Sequence, residues 1–186
     1  RMKLEKGLVH IYTGEGKGKT TSSLGLALRA ARYGLRVCFI QFMKGVTEED
    51  TLKNVQGGGK IDYAYFGHAR PSGKWKWVYK KKVEAGSSEE DKVIASRGLE
   101  FAEKVVKDGE YDIVILDEII MAIWFGLLQE EDVISLVKSK PANMELVLTG
   151  RRASEKLMEV ADYVSEVQKV KHPYDKGILA REGIDY

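Results

Sequence analysis

The chain has 186 residues, 44% of them hydrophobic and 31% charged, with a formal net charge of +2. That is room for one compact domain, so a single domain over 1–186 is expected. The net charge is too small for a general nucleic-acid surface, and the single cysteine, Cys38, rules out an internal disulfide and reads as a small buried hydrophobe. No apolar run approaches the roughly 18 residues of a membrane span, so a cytoplasmic protein with neither membrane nor nucleic acid as partner is expected.

Apolar runs and helical patterns alternate along the chain. Leu8–Thr13 reads as a strand, and Thr20–Tyr33 as a helix with an apolar stripe of Leu24, Ala27, Leu28 and Ala31, stopped by Gly34. Arg36–Phe42 and Ile61–Phe66 follow as strands. Ser87 and Glu90 form a capping box that opens a helix running to about Lys107. Tyr111–Leu116 is a strand whose continuous apolar core implies cover on both faces. Helices are expected at Glu118–Phe125, Glu130–Lys138 and Ala153–Ala161, and strands at Leu146–Thr149 and Tyr163–Val170. This alternation predicts an α/β fold with a mostly parallel sheet and helices on both faces. Residues 43–60 and 67–87 fit neither pattern. Leaving strands at the end where doubly wound sheets bind ligands, they read as substrate-side loops.

Thr13-Gly14-Glu15-Gly16-Lys17-Gly18-Lys19-Thr20-Thr21 lies between the first strand and the first helix. Its glycines let successive N–H groups turn toward one anion, and the helix N-terminus adds its positive end. Lys19 would reach phosphate oxygens and the Thr20 hydroxyl a Mg²⁺ ion, as in G-x-x-x-x-G-K-[ST] loops. The first glycine of that pattern is here Thr13, so the loop is a variant. Ile113–Glu118 is a buried strand ending in paired carboxylates, and Asp117 and Glu118 there can hold Mg²⁺ directly or through water. Arg151, directly after the Leu146–Thr149 strand, either grips phosphate in a fork or is a solvated arginine opening a helix.

The chain resembles the P-loop type corrinoid (cob(I)alamin) adenosyltransferases, collinearly over nearly its whole length. The resemblance is carried by Tyr12–Thr21, Gln41-Phe42-Met43-Lys44-Gly45, Leu116–Ile119, Thr149-Gly150-Arg151, Ala161–Glu166 and the tail from Val170 to Tyr186. It implies a P-loop NTPase (RecA-like) architecture. It also implies transfer of the 5′-deoxyadenosyl group of ATP to Co(I) of cobalamin or a cobyrinic acid derivative, releasing triphosphate. By position, Gly14, Gly16, Gly18 and Lys19 would hold the triphosphate, supported by Lys17 and with Thr13 and Thr21 adjoining. Thr20 and Glu118 would coordinate Mg²⁺, Asp117 directly or one step removed. Arg151 becomes a phosphate ligand, and Gln41 and Lys44 line the active site.

The resemblance further implies a reduced corrinoid as substrate, an electron-donating flavoprotein and a homodimer. Aromatics after the third strand would shield the lower face of the corrin, and Trp75 or Trp77 either does so or packs its loop onto the domain. The Lys-aromatic alternation there also has the form of a single-strand stacking strip, which the charge of the rest of the chain argues against. His68 and His172 are not expected to ligate cobalt. A P-loop ATPase or kinase, or an ATP- or corrinoid-binding regulatory module, are the competing readings.

Overall fold

In the computed structural model, which describes residues 3–44, 48, 52, 58–67, 89–181 and 183–185, six strands form one sheet. They are β1 (Val9–Thr13), β2 (Arg36–Phe42), β3 (Lys60–Phe66), β4 (Ile113–Asp117), β5 (Glu145–Thr149) and β6 (Tyr163–Glu166). Their order across the sheet is β3-β2-β4-β5-β1-β6, and every adjacent pair is parallel. All six C-terminal ends therefore open on one edge.

The period of two along each strand sorts side chains onto two faces. On one face Ile11, Ile40, Val114, Leu116, Leu146 and Leu148 form a buried core. It is covered by α2 (Glu89–Asp108), α3 (Ile119–Trp124), α4 (Glu130–Ser139) and the single turn α5 (Glu155–Met158). On the other face Val37, Phe39, Ile113, Ile115 and Val147 pack against α1 (Lys19–Arg32). Every residue of β4 is buried, as a central parallel strand covered on both sides requires. The α/β architecture expected from the alternation of elements is the one observed.

Three local expectations are corrected. Helix α1 turns Ala27, Ala30 and Ala31 inward, whereas Leu28 of the expected stripe is 36% exposed. The small alanines allow the helix axis to lie close to the sheet. The expected Ala153–Ala161 helix is only one turn, capped by Ser154, whose Oγ accepts from the Leu157 N–H at 3.0 Å. The chain must turn back there so that Asp162 can meet β1. Its N–H donates to the Val9 carbonyl at 2.9 Å, and its carboxylate accepts from the Val9 N–H at 2.8 Å. The last strand ends at Glu166, not Val170, because its partner β1 ends at Thr13. The capping residue Ser87 lies outside the described residues.

Cys38 is buried, and its surroundings push the thiol up to about 12, so it behaves as the small hydrophobe expected. Glu145, at the start of β5, accepts from the Leu8 N–H at 2.8 Å and from His10 Nε2. Burial works to raise its carboxyl pKa, but the hydrogen bonds from His10 and Leu8 outweigh it and hold the group below the usual range. A carboxyl depressed by folding adds stability above its unfolded pKa of about 4.3 and loses it as pH falls through the folded value. Glu145→Gln should therefore be destabilised by about 1 kcal/mol at pH 7. Urea unfolding repeated in acid, below the unfolded pKa, should show that difference shrinking. An equal loss at both pH values would mean that the charge at Glu145 contributes nothing.

Candidate active site

The loop between β1 and α1 is held from behind by the chain that follows β6. The Val167 N–H donates to the Thr13 carbonyl at 2.8 Å, and the Gly16 N–H donates to the Val167 carbonyl at 2.7 Å. A Cβ on Gly14, where φ is 96°, would lie 2.5 Å from the Val167 oxygen, and one on Gly16 would lie 2.6 Å from the Gln168 oxygen. Glycine is required at both positions by this close approach, independently of any ligand. Lys19, the first residue of α1, folds its ammonium back to donate to the Gly14 and Gly16 carbonyls, each at 2.7 Å. Burial pushes Lys19 below the ordinary lysine range; Glu118 and Glu15 oppose that shift, while Arg151 and Lys44 add to it.

Beside the loop stands Asp117, fully buried at the end of β4. Its Oδ1 accepts from Thr20 Oγ1 at 2.9 Å and from Thr149 Oγ1 at 2.6 Å, and its Oδ2 accepts from Gln41 Nε2 at 2.9 Å. The Gln41 carbonyl oxygen accepts in turn from the Tyr63 hydroxyl at 2.8 Å. Thr149 is also the acceptor for the Glu118 N–H at 2.9 Å. Strands β2, β3, β4 and β5 and helix α1 thus each contribute one member to a single polar network.

Glu118 precedes α3 with φ at 62°, a left-handed conformation that costs a non-glycine residue roughly 1–2 kcal/mol. Met43 and Arg152 share it, at 63° and 62°. All three lie just past the C-terminal ends of β2, β4 and β5. Such backbone conformations persist only where surrounding structure imposes them, and they gather at functional sites.

Among the described residues, the carboxyls of Glu15, Glu48, Asp117 and Glu118 face this edge together with the cations Lys19, Lys44, Arg151 and Arg152. Lys44 Nζ lies 3.5 Å from Asp117 Oδ2, 3.6 Å from Glu118 Oε1 and 3.4 Å from Thr20 Oγ1. Burial works to lower its pKa, but Asp117, Glu118 and Glu48 hold the ammonium above the usual lysine range. Glu48 is itself buried, and its carboxyl pKa is raised by that burial. Arg151 Nη1 donates to Glu15 Oε2 at 3.2 Å and Arg152 Nε to Glu15 Oε1 at 3.3 Å, with the Arg152 guanidinium 4.4 Å above the Trp124 ring. Lys17 faces the C-terminal tail instead, donating to the Ile184 carbonyl at 2.9 Å and to Asp185.

The structure thus brings together Gly14, Gly16, Gly18, Lys19, Thr20, Gln41, Lys44, Asp117, Glu118 and Arg151 among the residues expected from sequence. Three others are turned elsewhere. Thr13 Oγ1 accepts from the Ala153 N–H at 3.1 Å, Lys17 pairs with the tail, and Thr21 is exposed on the first turn of α1. Trp75, Trp77 and His68 lie outside the described residues. His172 caps the turn at Pro173–Lys176, accepting from the Tyr174 N–H at 3.2 Å. Sequence reasoning gave no role to Glu15, Glu48, Tyr63 or the Thr149 hydroxyl. Of these only Thr149 carried a signal, by standing in the Thr149-Gly150-Arg151 motif.

Residues 5–186 match the family described as ATP:corrinoid adenosyltransferase BtuR/CobO/CobP. A corrinoid adenosyltransferase of Sinorhizobium is 33% identical over 185 residues, 98% of this chain and 81% of that protein. The corrinoid adenosyltransferase of Escherichia coli K12 is 30% identical over 182 residues, 98% of this chain and 87% of that protein. That of Salmonella typhimurium is 31% identical over the same shares. Among solved structures, the Legionella pneumophila ATPase DotB aligns over 84% of this chain and 34% of its own, at 9% identity and a TM-score of 0.48. From the loop at Thr13–Thr21 through the tail, the chain belongs to the ATP:corrinoid adenosyltransferase family.

Proposed function

We propose how this chain, as an ATP:corrinoid adenosyltransferase, divides the work of adenosyl transfer among its residues. Co(I) of the corrinoid substrate supplies an electron pair to the ribose C5′ of ATP, the C5′–O5′ bond breaks, and triphosphate leaves. The observation that supports this most directly is the convergence of Lys19, the Thr20–Asp117–Thr149 network and Arg151 on one sheet edge. Fixed donors aimed at the leaving group stabilise the charge that develops there. The nucleophile comes from the substrate, so no protein thiol or hydroxyl has to be activated.

Lys19 is held by two loop carbonyls, and a triphosphate entering the loop would give its ammonium anionic partners instead. Gly14, Gly16 and Gly18 let the loop's N–H groups approach the phosphates. Arg151 would exchange Glu15 for phosphate oxygens in a fork. Thr20, Asp117 and Glu118 offer oxygen donors only, the kind that suits Mg²⁺. Among the described residues no three or more His, Cys, Asp and Glu side chains group as a metal cage. Mg²⁺ does not require one, since one or two carboxylates with substrate phosphates suffice. Thr20 and Glu118 would hold the ion and Asp117 would orient the Thr20 hydroxyl. When bound, Mg²⁺ neutralises charge on the departing triphosphate.

The finer readings extend from the same family likeness. The chain works as one domain in the cytoplasm and as a homodimer, the cobalt of its corrinoid substrate reduced by a flavoprotein, with Trp75 or Trp77 against the lower corrin face. Among the described residues, no helix is long and apolar enough to cross a membrane.

Lys19→Ala should weaken ATP binding by about 10- to 100-fold, the worth of a charge-assisted hydrogen bond, as measured by calorimetry; unchanged affinity would remove the loop from the site. Incubation with ATP and chemically reduced cobalamin should yield a light-sensitive Co–C product and triphosphate in equal amounts. ADP and phosphate with an unaltered corrinoid spectrum would point to an ATPase instead. Replacing Trp75 and Trp77 by alanine one at a time should suppress four-coordinate Co(II) in the variant that loses the shield. Normal spectra from both would assign the two tryptophans to packing.

A further inference from the structure

The ammonium of Lys44 lies among the three residues that would hold the divalent cation. It lies 3.4–3.6 Å from Thr20 Oγ1, Asp117 Oδ2 and Glu118 Oε1, the same residues that offer the metal its oxygens. A committed ammonium–carboxylate hydrogen bond is shorter, about 2.7–2.9 Å. Lys44 instead sits nearly equidistant from these three oxygens, as a counter-ion does. Its backbone is fixed there. The Lys44 N–H donates to the Phe42 carbonyl at 2.8 Å, Met43 before it takes the left-handed turn, and Gly67 packs so closely that a Cβ would lie 2.4 Å from the Lys44 oxygen. Beyond such an anchor a lysine's four-carbon stem is intrinsically flexible.

We propose that Lys44 is a built-in placeholder for the divalent cation, neutralising Asp117 and Glu118 until the metal arrives with its nucleotide. This rests on the reading of Thr20, Asp117 and Glu118 as the metal site. A bare metal ion would have to expel the ammonium from beside two carboxylates, leaving it only Glu48 of the carboxylates described around it. A metal–ATP complex brings triphosphate oxygens that accept the displaced ammonium. Lys44 therefore couples the two ligands: metal binds weakly alone and tightly with ATP, and the coupling acts equally in both directions. In the free protein it also keeps two adjacent carboxylates from standing uncompensated at a half-buried site.

The test is Mn²⁺ binding followed by electron paramagnetic resonance, with and without ATP, in the wild-type chain, Lys44→Met and Lys44→Gln. Removing a positive charge within 4 Å of the site should tighten binding of Mn²⁺ alone by about tenfold or more, in both variants. Binding of ATP in the presence of Mn²⁺ should weaken in the same variants. Opposite signs in the two titrations set a placeholder apart from a merely structural lysine, whose loss would weaken both. Unchanged or weaker binding of Mn²⁺ alone by the variants, with wild-type circular dichroism, would overturn the proposal. Failure of the wild-type chain to bind Mn²⁺ with ATP would instead sink the nucleotide reading itself, so the two failures are told apart.

Discussion

One fully buried carboxylate, Asp117, organises the site. A charge withdrawn from water is costly unless its oxygens are satisfied. Here they are satisfied by Thr20 from α1, Thr149 from β5 and Gln41 from β2, with Lys44 close by. Thr20, Thr149 and Gln41 each come from a different element. The carboxylate is stable only when the phosphate-loop helix and the three central strands are in register, so the same contacts that make Asp117 tolerable also align the site. Mis-registering any one element would strand a buried charge.

A second constraint acts on the loop from behind. The segment after β6 closes hydrogen bonds with Thr13 and Gly16 and packs against Gly14 and Gly16 more closely than any side chain would allow. The loop's shape is therefore set by neighbouring backbone before any anion enters, which suits a site whose donors must be in place when charge develops. The edge strand β6, paired among the described residues with β1 alone, serves this purpose through its continuation as much as through its own pairing.

Most charges at the site stand against opposite ones. Arg151 and Arg152 share Glu15, Lys17 meets Asp185, and Lys44 sits among Asp117, Glu118 and Glu48. Exposed pairs of this kind contribute little to stability, so Glu15 can yield Arg151 to a stronger anion at small cost. Lys44 differs because it is less exposed and its neighbours are adjacent carboxylates. Anion binding at such an edge exchanges one ionic partner for another, as when Arg151 leaves Glu15.

Much of this was legible in the chain itself. Alternating apolar runs determined the α/β class, since a period of two or 3.6 reports which face is buried wherever the element lies. The glycine–lysine loop and Asp117-Glu118 were readable because their chemistry depends on residue types at short spacing. Local pattern misjudged Leu28, Ala153–Ala161 and Val167–Val170, where neighbouring backbone overrode propensity: the sheet favoured small alanines on α1, and Val9 and Thr13 dictated where the final segments turned. The sheet order, the convergence of Gln41 and Thr149 on Asp117 with Tyr63 behind Gln41, and the seat of Lys44 were decided by tertiary structure alone. Those contacts join residues far apart in the chain. A strand's pattern says which way its side chains face, but not which strand lies beside it.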